Sequence, residues 1–231
     1  MQYENIVSAI FLERPNRFIA RCLLNGEEVI AHVKNTGRCK ELLIPGVPVY
    51  LQHHDNPARK TAFSLICVQK GKRLINIDSQ APNQAAWDAL RNSSILLPGF
   101  NGPPACIKRE AVFGNSRLDF YLEQGSIKAF AEVKGVTLEK NGIVLFPDVP
   151  TQRGVKHLNE LCHVVQAGMR AYVIFIVQMQ NVSYFTPNIK THPAFGQALR
   201  HACENGVTAL CYDCKVTPEL LEIRKRVEIH L

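Results

Sequence analysis

Asp119, Glu132 and Lys134 have the types and spacing that hold a divalent cation beside a positive charge. They lie in the stretch S-R-L-D-F-Y-L-E-Q-G-S-I-K-A-F-A-E-V-K, residues 116–134. Two runs alternate with period 2 around Gln124-Gly125-Ser126, the pattern of a β-hairpin. Leu118, Phe120 and Leu122 fall on one face of the first run. Ile127, Ala129, Ala131 and Val133 fall on one face of the second. The opposite faces carry Asp119 and, about 7 Å apart along the strand, Glu132 and Lys134. If those faces coincide, two carboxylates can hold Mg²⁺ or Mn²⁺, which keep several waters. The ammonium can orient or deprotonate an attacking water, or steady a phosphate charge. Metal-dependent phosphodiesterases are often built this way. The same spacing also arises on a solvated strand face with an ion pair. Glu110 is a further candidate ligand.

The elements that must position these groups can be read outward from the hairpin. A strand over 108–113 precedes it. After it, β structure continues over 136–146 around the Asn141-Gly142 turn, and Pro147-Asp148-Val149-Pro150 breaks it. Thr151 is the expected N-cap of a helix reaching about Gly168. Leu158, Leu161, Val165 and Met169 form its apolar stripe, while Arg153, His157 and Glu160 share another face. That face either lies in solvent or turns Arg153 and His157 toward a phosphate. The apolar run 171–178 predicts a buried central strand. A helix over 193–205 ends at Gly206. A strand over 207–212, a helical turn over 218–221 and a final pairing segment complete the chain. Ahead of the hairpin, a helix over 80–92 with Ala85, Ala86, Ala89 and Leu90 inward opens a second domain. Strands alternating with helices argue for a mixed α/β sheet with covered faces.

Residues 1–80 read as mostly β. Strands are expected over 17–24, 27–33, 47–53, 61–69 and 73–77, with a hairpin turn at Asn25-Gly26. Five strands in this length suggest a small OB-like barrel. This part is basic, and such barrels present a face and loops to oligonucleotides. Arg14, Arg17, Arg21, Lys34 and Arg38 are the expected nucleic-acid contacts. Phe18, taken alone, is read as a core residue. The Asn35-Thr36-Gly37-Arg38 segment is either an anion-binding nest with Arg38 as donor or an ordinary turn.

The formal charge of +7 over 231 residues favours an anionic partner. The single Trp weighs against a carbohydrate-binding module, which needs aromatic platforms. Apolar runs are too short to span a bilayer, and the start M-Q-Y-E-N-I-V lacks a basic n-region. A cytoplasmic protein with no membrane partner is expected. Its eight Cys are then packed free thiols. Cys211 and Cys214 would point to opposite faces of a strand, against a zinc site.

Taken together, these segments resemble the sugar fermentation stimulation protein A family. The resemblance covers essentially the whole chain. It rests on N-T-G-R at 35–38 followed by Glu41-Leu42, on G-N-S-R-L-D-F at 114–120, on A-E-V-K-G-V at 131–136 and on F-P-D-V-P-T-Q-R-G-V-K-H-L at 146–158. Cys39 departs from it, where Met is expected. The resemblance implies an OB-like barrel over 1–80 and a restriction-endonuclease-like (PD-D/E-x-K) domain over 81–231. It implies DNA binding and a link to the regulation of sugar fermentation genes. Asp119 matches the first acidic position of the nuclease motif, Glu132 the second and Lys134 the lysine; Leu118 stands where the motif has Pro. The expected catalytic set is therefore Asp119, Glu132 and Lys134 with Arg153 and His157, and the expected metal ligands are Asp119, Glu132 and Glu110. The rival is a non-catalytic DNA-binding regulator on a vestigial nuclease fold. In either case DNA affinity should fall steeply with salt, because bound phosphates release counterions. Titrations at several salt concentrations check this, and a log–log slope near zero would contradict it.

Overall fold

Alternating apolar residues close the first sheet into a barrel. In the computed structural model, which describes residues 1–35 and 37–231, its strands are β1 (Ile6–Asn16), β2 (Ile19–Leu24), β3 (Glu27–Val33), β4 (Pro48–His53) and β5 (Phe63–Lys70). Their order is β3-β2-β1-β4-β5, and β3 pairs back on β5 through Ala31↔Phe63, His32↔Ser64 and Val33↔Leu65. Phe11, Ala20, Cys22, Val33, Leu51 and Leu65 are buried in the core. β6 (Arg73–Asn76) extends the sheet beyond β5. The sequence pattern does not announce β1. Register shifts between Phe11 and Glu13 and between Glu13 and Asn16 break its alternation.

The second domain begins with α1 (Ala81–Arg91), followed by β7 (Cys106–Phe113), β8 (Ser116–Gln124), β9 (Ile127–Val136), β10 (Leu138–Lys140) and β11 (Ile143–Phe146). α2 (Gln152–Gln166), β12 (Arg170–Val177), β13 (Tyr184–Pro187), α3 (Pro193–Glu204), β14 (Thr208–Thr217), β15 (Leu220–Arg226) and β16 (Glu228–Ile229) complete it. The main sheet runs β15-β14-β12-β9-β8-β7. Its centre, β9, β12 and β14, is parallel and its flanks are antiparallel. Both faces are covered, which explains the unbroken apolar run of β12. Val173, Phe175 and Val177 enter the core that includes Leu158 and Leu161 of α2. Tyr172, Ile174 and Ile176 enter the core that includes Ala85 and Ala89 of α1. Cys211 belongs to the first of these cores and Cys214 to the second. β10, β11, β13 and β16 form a small separate sheet.

Thr151 caps α2 as expected, its hydroxyl accepting from the Gly154 amide at 3.0 Å. The expected helical turn over 218–221 is instead a tight turn between β14 and β15. The pairs Thr217↔Leu220 and Val216↔Leu221 draw both flanks into the ladder. Among the described residues no helix is long and apolar enough to cross a membrane.

Polar groups join the barrel to the second sheet. Asp78 is fully buried, and its Oδ2 accepts from Lys34 Nζ at 2.8 Å and from the Tyr3 hydroxyl at 3.4 Å. Gln178, just past β12, donates to Asn76 Oδ1 at 2.9 Å and to the Asp78 carbonyl at 3.0 Å. Glu139 of β10 takes Lys70 and Arg73 from the β5–β6 hairpin, each at 2.7 Å. Burial alone would raise the Glu139 carboxyl, but these cations and the Gly142 amide bring it down to about 2. Removing one partner of a buried ion pair leaves the other uncompensated. Lys34→Met should therefore destabilise the protein by about 3 kcal/mol, measured by urea denaturation; an unchanged midpoint would contradict this.

Candidate functional site

β8 and β9 part company at the site. Their ladder runs from Gln124↔Ile127 to Phe120↔Ala131 and goes no further. From there β9 continues beside β12, with Glu132 opposite Val173 and Lys134 opposite Phe175. Asp119 fills the gap, its Oδ2 accepting from the Val133 amide at 2.7 Å. The side chain thus replaces a ladder bond, and Asp119 and Glu132 stand together on the diverging strands.

Each carboxylate is held by a different set of donors. Asn83 of α1 donates to Asp119 Oδ1 at 2.8 Å. α1 can come this close because position 135 is glycine: a Cβ there would lie 2.7 Å from both Pro82 Cγ and Gln178 Oε1. Glu132 is 3% exposed. Its Oε1 accepts from Lys134 Nζ at 2.5 Å and from His157 Nδ1. Its Oε2 is buried and has no partner among the described residues. Arg153 Nε, one turn earlier on α2, donates to His157 Nε2 at 3.3 Å. These bonds place the imidazole proton on Nδ1 and make His157 a bridge between guanidinium and carboxylate.

The electrostatics separate the two acids. Burial pushes Asp119 up to about 6, and the charge of Glu132 adds to it, against the pull of the Val133 amide, Lys134 and Asn83. Burial would also raise Glu132, but the bond from His157 and the charge of Lys134 outweigh it and hold Glu132 below its usual range.

The structure brings together Asp119, Glu132, Lys134, His157 and Arg153, so the polar face of α2 is not a free solvated one: His157 is buried in the site. It does not bring in Glu110. That residue has φ 53°, and its carboxylate pairs with Arg117 at 2.9 Å while 57% exposed. Among the described residues no three His, Cys, Asp or Glu side chains group as metal ligands. Asn83 escaped the sequence reading. It sits on the polar side of α1, and no spacing ties it to Asp119.

The barrel cations are less free than their sequence suggests. Arg14 donates to the carbonyls of Gly37, Arg38, Arg17 and Asn35 at 2.6–2.7 Å, so its guanidinium ties a loop together instead of meeting phosphate. Arg21 pairs with both oxygens of Glu28 and with Glu13. Lys34 is held by Asp78. Arg17 and Arg38 remain exposed. Phe18, read from sequence as core, is 45% exposed, with Arg17 Cζ 4.7 Å from its ring centroid. In the segment read as either a nest or a turn, the Gly37 amide is taken by Asn35 Oδ1 at 2.8 Å. Thr36, part of that expectation, lies outside the described residues.

A carboxyl raised above its unfolded value stabilises the fold below that value, near 3.9, and loses this as pH rises through its folded value, here about 6. Near pH 7 the ionised Asp119 therefore opposes folding. Asn at this position can still accept from the Val133 amide and bond Asn83. Without divalent ions, Asp119→Asn should gain about 1–2 kcal/mol at pH 7 and progressively less toward pH 4. Thermal melts across pH check this, and a less stable variant at pH 7 would contradict it.

Comparison with known proteins gives one consistent answer. The family description "Sugar fermentation stimulation protein RE domain" fits residues 80–220, and "SfsA N-terminal OB domain" fits residues 12–77. A sugar fermentation stimulation protein homolog from Desulfitobacterium hafniense (strain Y51) is 55% identical over 231 residues, covering 100% of this chain and 99% of the relative. Another, from Ruminiclostridium cellulolyticum, is 52% identical and covers 100% of both chains. The solved structure of Pyrococcus furiosus SfsA in complex with Ca²⁺ has a TM-score of 0.86 at 30% identity, covering 100% of this chain and 98% of that one. With its closed OB barrel and its restriction-endonuclease-like mixed sheet, the chain belongs to the sugar fermentation stimulation protein A family.

Proposed function

We propose that this protein binds DNA through its basic barrel and carries a Mg²⁺- or Mn²⁺-dependent phosphodiesterase site on β8, β9 and α2. The observation that carries this reading is the second oxygen of Glu132. A buried carboxylate oxygen without a partner costs free energy, about 1–3 kcal/mol or more for a charged group, and native proteins keep few of them. A cation beside Glu132 Oε2 and Asp119 would satisfy it. The donor set fits Mg²⁺ or Mn²⁺: two carboxylates, with water and substrate phosphate oxygens completing the shell. The Ca²⁺ bound by the Pyrococcus furiosus relative is also a hard, oxygen-seeking cation, which supports such a site in this fold.

When bound, such an ion lowers the pKa of a coordinated water and polarises a phosphoryl oxygen. The protein's own groups do the rest. Asn83 and the Val133 amide fix the Asp119 carboxylate. Lys134 and His157 hold Glu132 by one oxygen and leave the other free for the ion. Lys134 stands where it can orient the attacking water or meet the charge that grows on the scissile phosphate. His157, fixed as the Nδ1–H tautomer, passes its orientation to Arg153, whose exposed guanidinium is placed to grip a phosphate. Arg17 and Arg38 extend that grip from the barrel.

Calorimetric titration of Mn²⁺ into the wild type, Asp119→Asn and Glu132→Gln tests the site. Wild type should bind at or below millimolar Mn²⁺ and both variants should lose binding. No heat from wild type, or equal binding by the variants, would favour the non-catalytic regulator. Where Mn²⁺ supports cleavage of single- or double-stranded DNA, Lys134→Ala should slow it by about a hundredfold to a thousandfold while still binding the ion.

A further inference from the structure

A cleft of about 430 Å³ opens on the barrel beside the β1–β2 turn. Its floor is apolar, formed by Phe11, Leu43 and Pro45, and its rim carries Arg17, Arg38 and Lys40. Phe11 and Leu43 are buried, so that part of the floor is fixed by the barrel core, while Pro45 and the three cations are exposed. Arg14 forms a rigid wall, its guanidinium held by four backbone carbonyls. Glu13 also borders the cleft; it shares Arg21, at 2.7 Å, with Glu28, so this trio leaves one negative charge beside the three cations of the rim. Outside the rim the Phe18 ring stands 45% exposed beneath the Arg17 guanidinium.

We propose that this cleft holds one unpaired nucleotide, so that the barrel selects single-stranded over double-stranded DNA. The inference rests on the nucleic-acid reading above and narrows its substrate. A protein that only tracks duplex phosphates needs cations and has no use for an apolar floor. An unpaired nucleotide offers both of the matching surfaces: a flat apolar base for the floor and a phosphate for the rim. The volume suits one small-molecule-sized unit. In a duplex the base faces are hidden in the stack, so only phosphates would reach the rim and the floor would stay unused. Phe18 continues the same surface outward as a stacking platform for a neighbouring base, and stacking of this kind tolerates any sequence.

Fluorescence anisotropy with EDTA present keeps the test independent of the metal site. The probes are labelled dT12 and the dT12·dA12 duplex, with dTMP as competitor. Wild type should bind the strand at least about tenfold tighter than the duplex, and Phe18→Ala should lose about fivefold or more on the strand. Arg38→Ala combined with Lys40→Ala changes only exposed side chains. It should weaken the strand by about tenfold and the duplex by less. The cleft assignment is overturned if the duplex binds as tightly as the strand. It is equally overturned if the double variant, shown folded by its thermal melt, binds the strand like wild type. Competition by dTMP as strong as by unlabelled dT12 would make the cleft a free-nucleotide pocket and overturn the strand proposal. In each of these cases DNA binding itself survives. If neither strand nor duplex binds, the nucleic-acid reading falls and the cleft proposal falls with it.

Discussion

Two carboxylates buried side by side repel, and the second domain is arranged to permit it. Asp119 and Glu132 are brought together where β8 leaves β9, and three elements contribute donors. α1 brings Asn83, β9 brings the Val133 amide and Lys134, and α2 brings His157. The donors are unevenly shared. Glu132 receives the Lys134 ammonium and the His157 Nδ1–H and is held below its usual range; Asp119 receives an amide and a carboxamide N–H and is held near 6. Two like acids driven apart by their surroundings are the arrangement on which the metal-site proposal draws. Glu132 Oε2, buried and without a partner among the described residues, lies within this arrangement.

The hairpin was legible because both of its strands alternate in residue type around the Gly125 turn, although β9 is buried on both faces and only β8 keeps a partly exposed one. Period-2 alternation grouped Asp119, Glu132 and Lys134, which the structure brings together, but it also put Leu118 with Phe120 and Leu122, whereas Leu118 enters the core that includes α2 and the other two the core that includes α1. The Thr151 cap and the buried β12 were legible for similar local reasons. What was hidden depends on contacts between elements. His157 lies on a helix whose polar face looks solvated by spacing alone, and only packing on the sheet turns it onto Glu132. Asn83 has no pattern at all that points to Asp119. Glu110 was only a further candidate ligand, and its left-handed backbone and its bond to Arg117 take it away. In the barrel, counting cations overestimated the free ones, because Arg14, Arg21 and Lys34 have acceptors in the fold that lie 3–44 positions away. β1 was missed because two register shifts blur its alternation.

The barrel and the second domain also meet at a loop. A Cβ on Gly37 would overlap Asp148 Oδ2, in the segment that leads into α2. The backbone of that loop is the one tied by Arg14. The wall of the barrel cleft and the approach to the helix bearing Arg153 and His157 thus meet at Gly37, where a side chain would displace the Asp148 carboxylate.

The start of the chain does not belong to the barrel that follows it. Gln2 bridges Leu220, the Tyr3 amide donates to the Glu219 carbonyl at 2.8 Å, and Tyr3 is buried against Asn76 and Asp78. During synthesis the barrel strands emerge first and can close, but these leading residues must wait for residue 221. At about 5–20 residues per second that wait is on the order of 10 s or longer. Until residue 178 emerges the end of β6 lacks Gln178, and until residue 219 emerges the Tyr3 amide lacks its acceptor. The nascent barrel is therefore exposed on the side where the second domain will dock, and a ribosome that stalls in the last strands would hold it there.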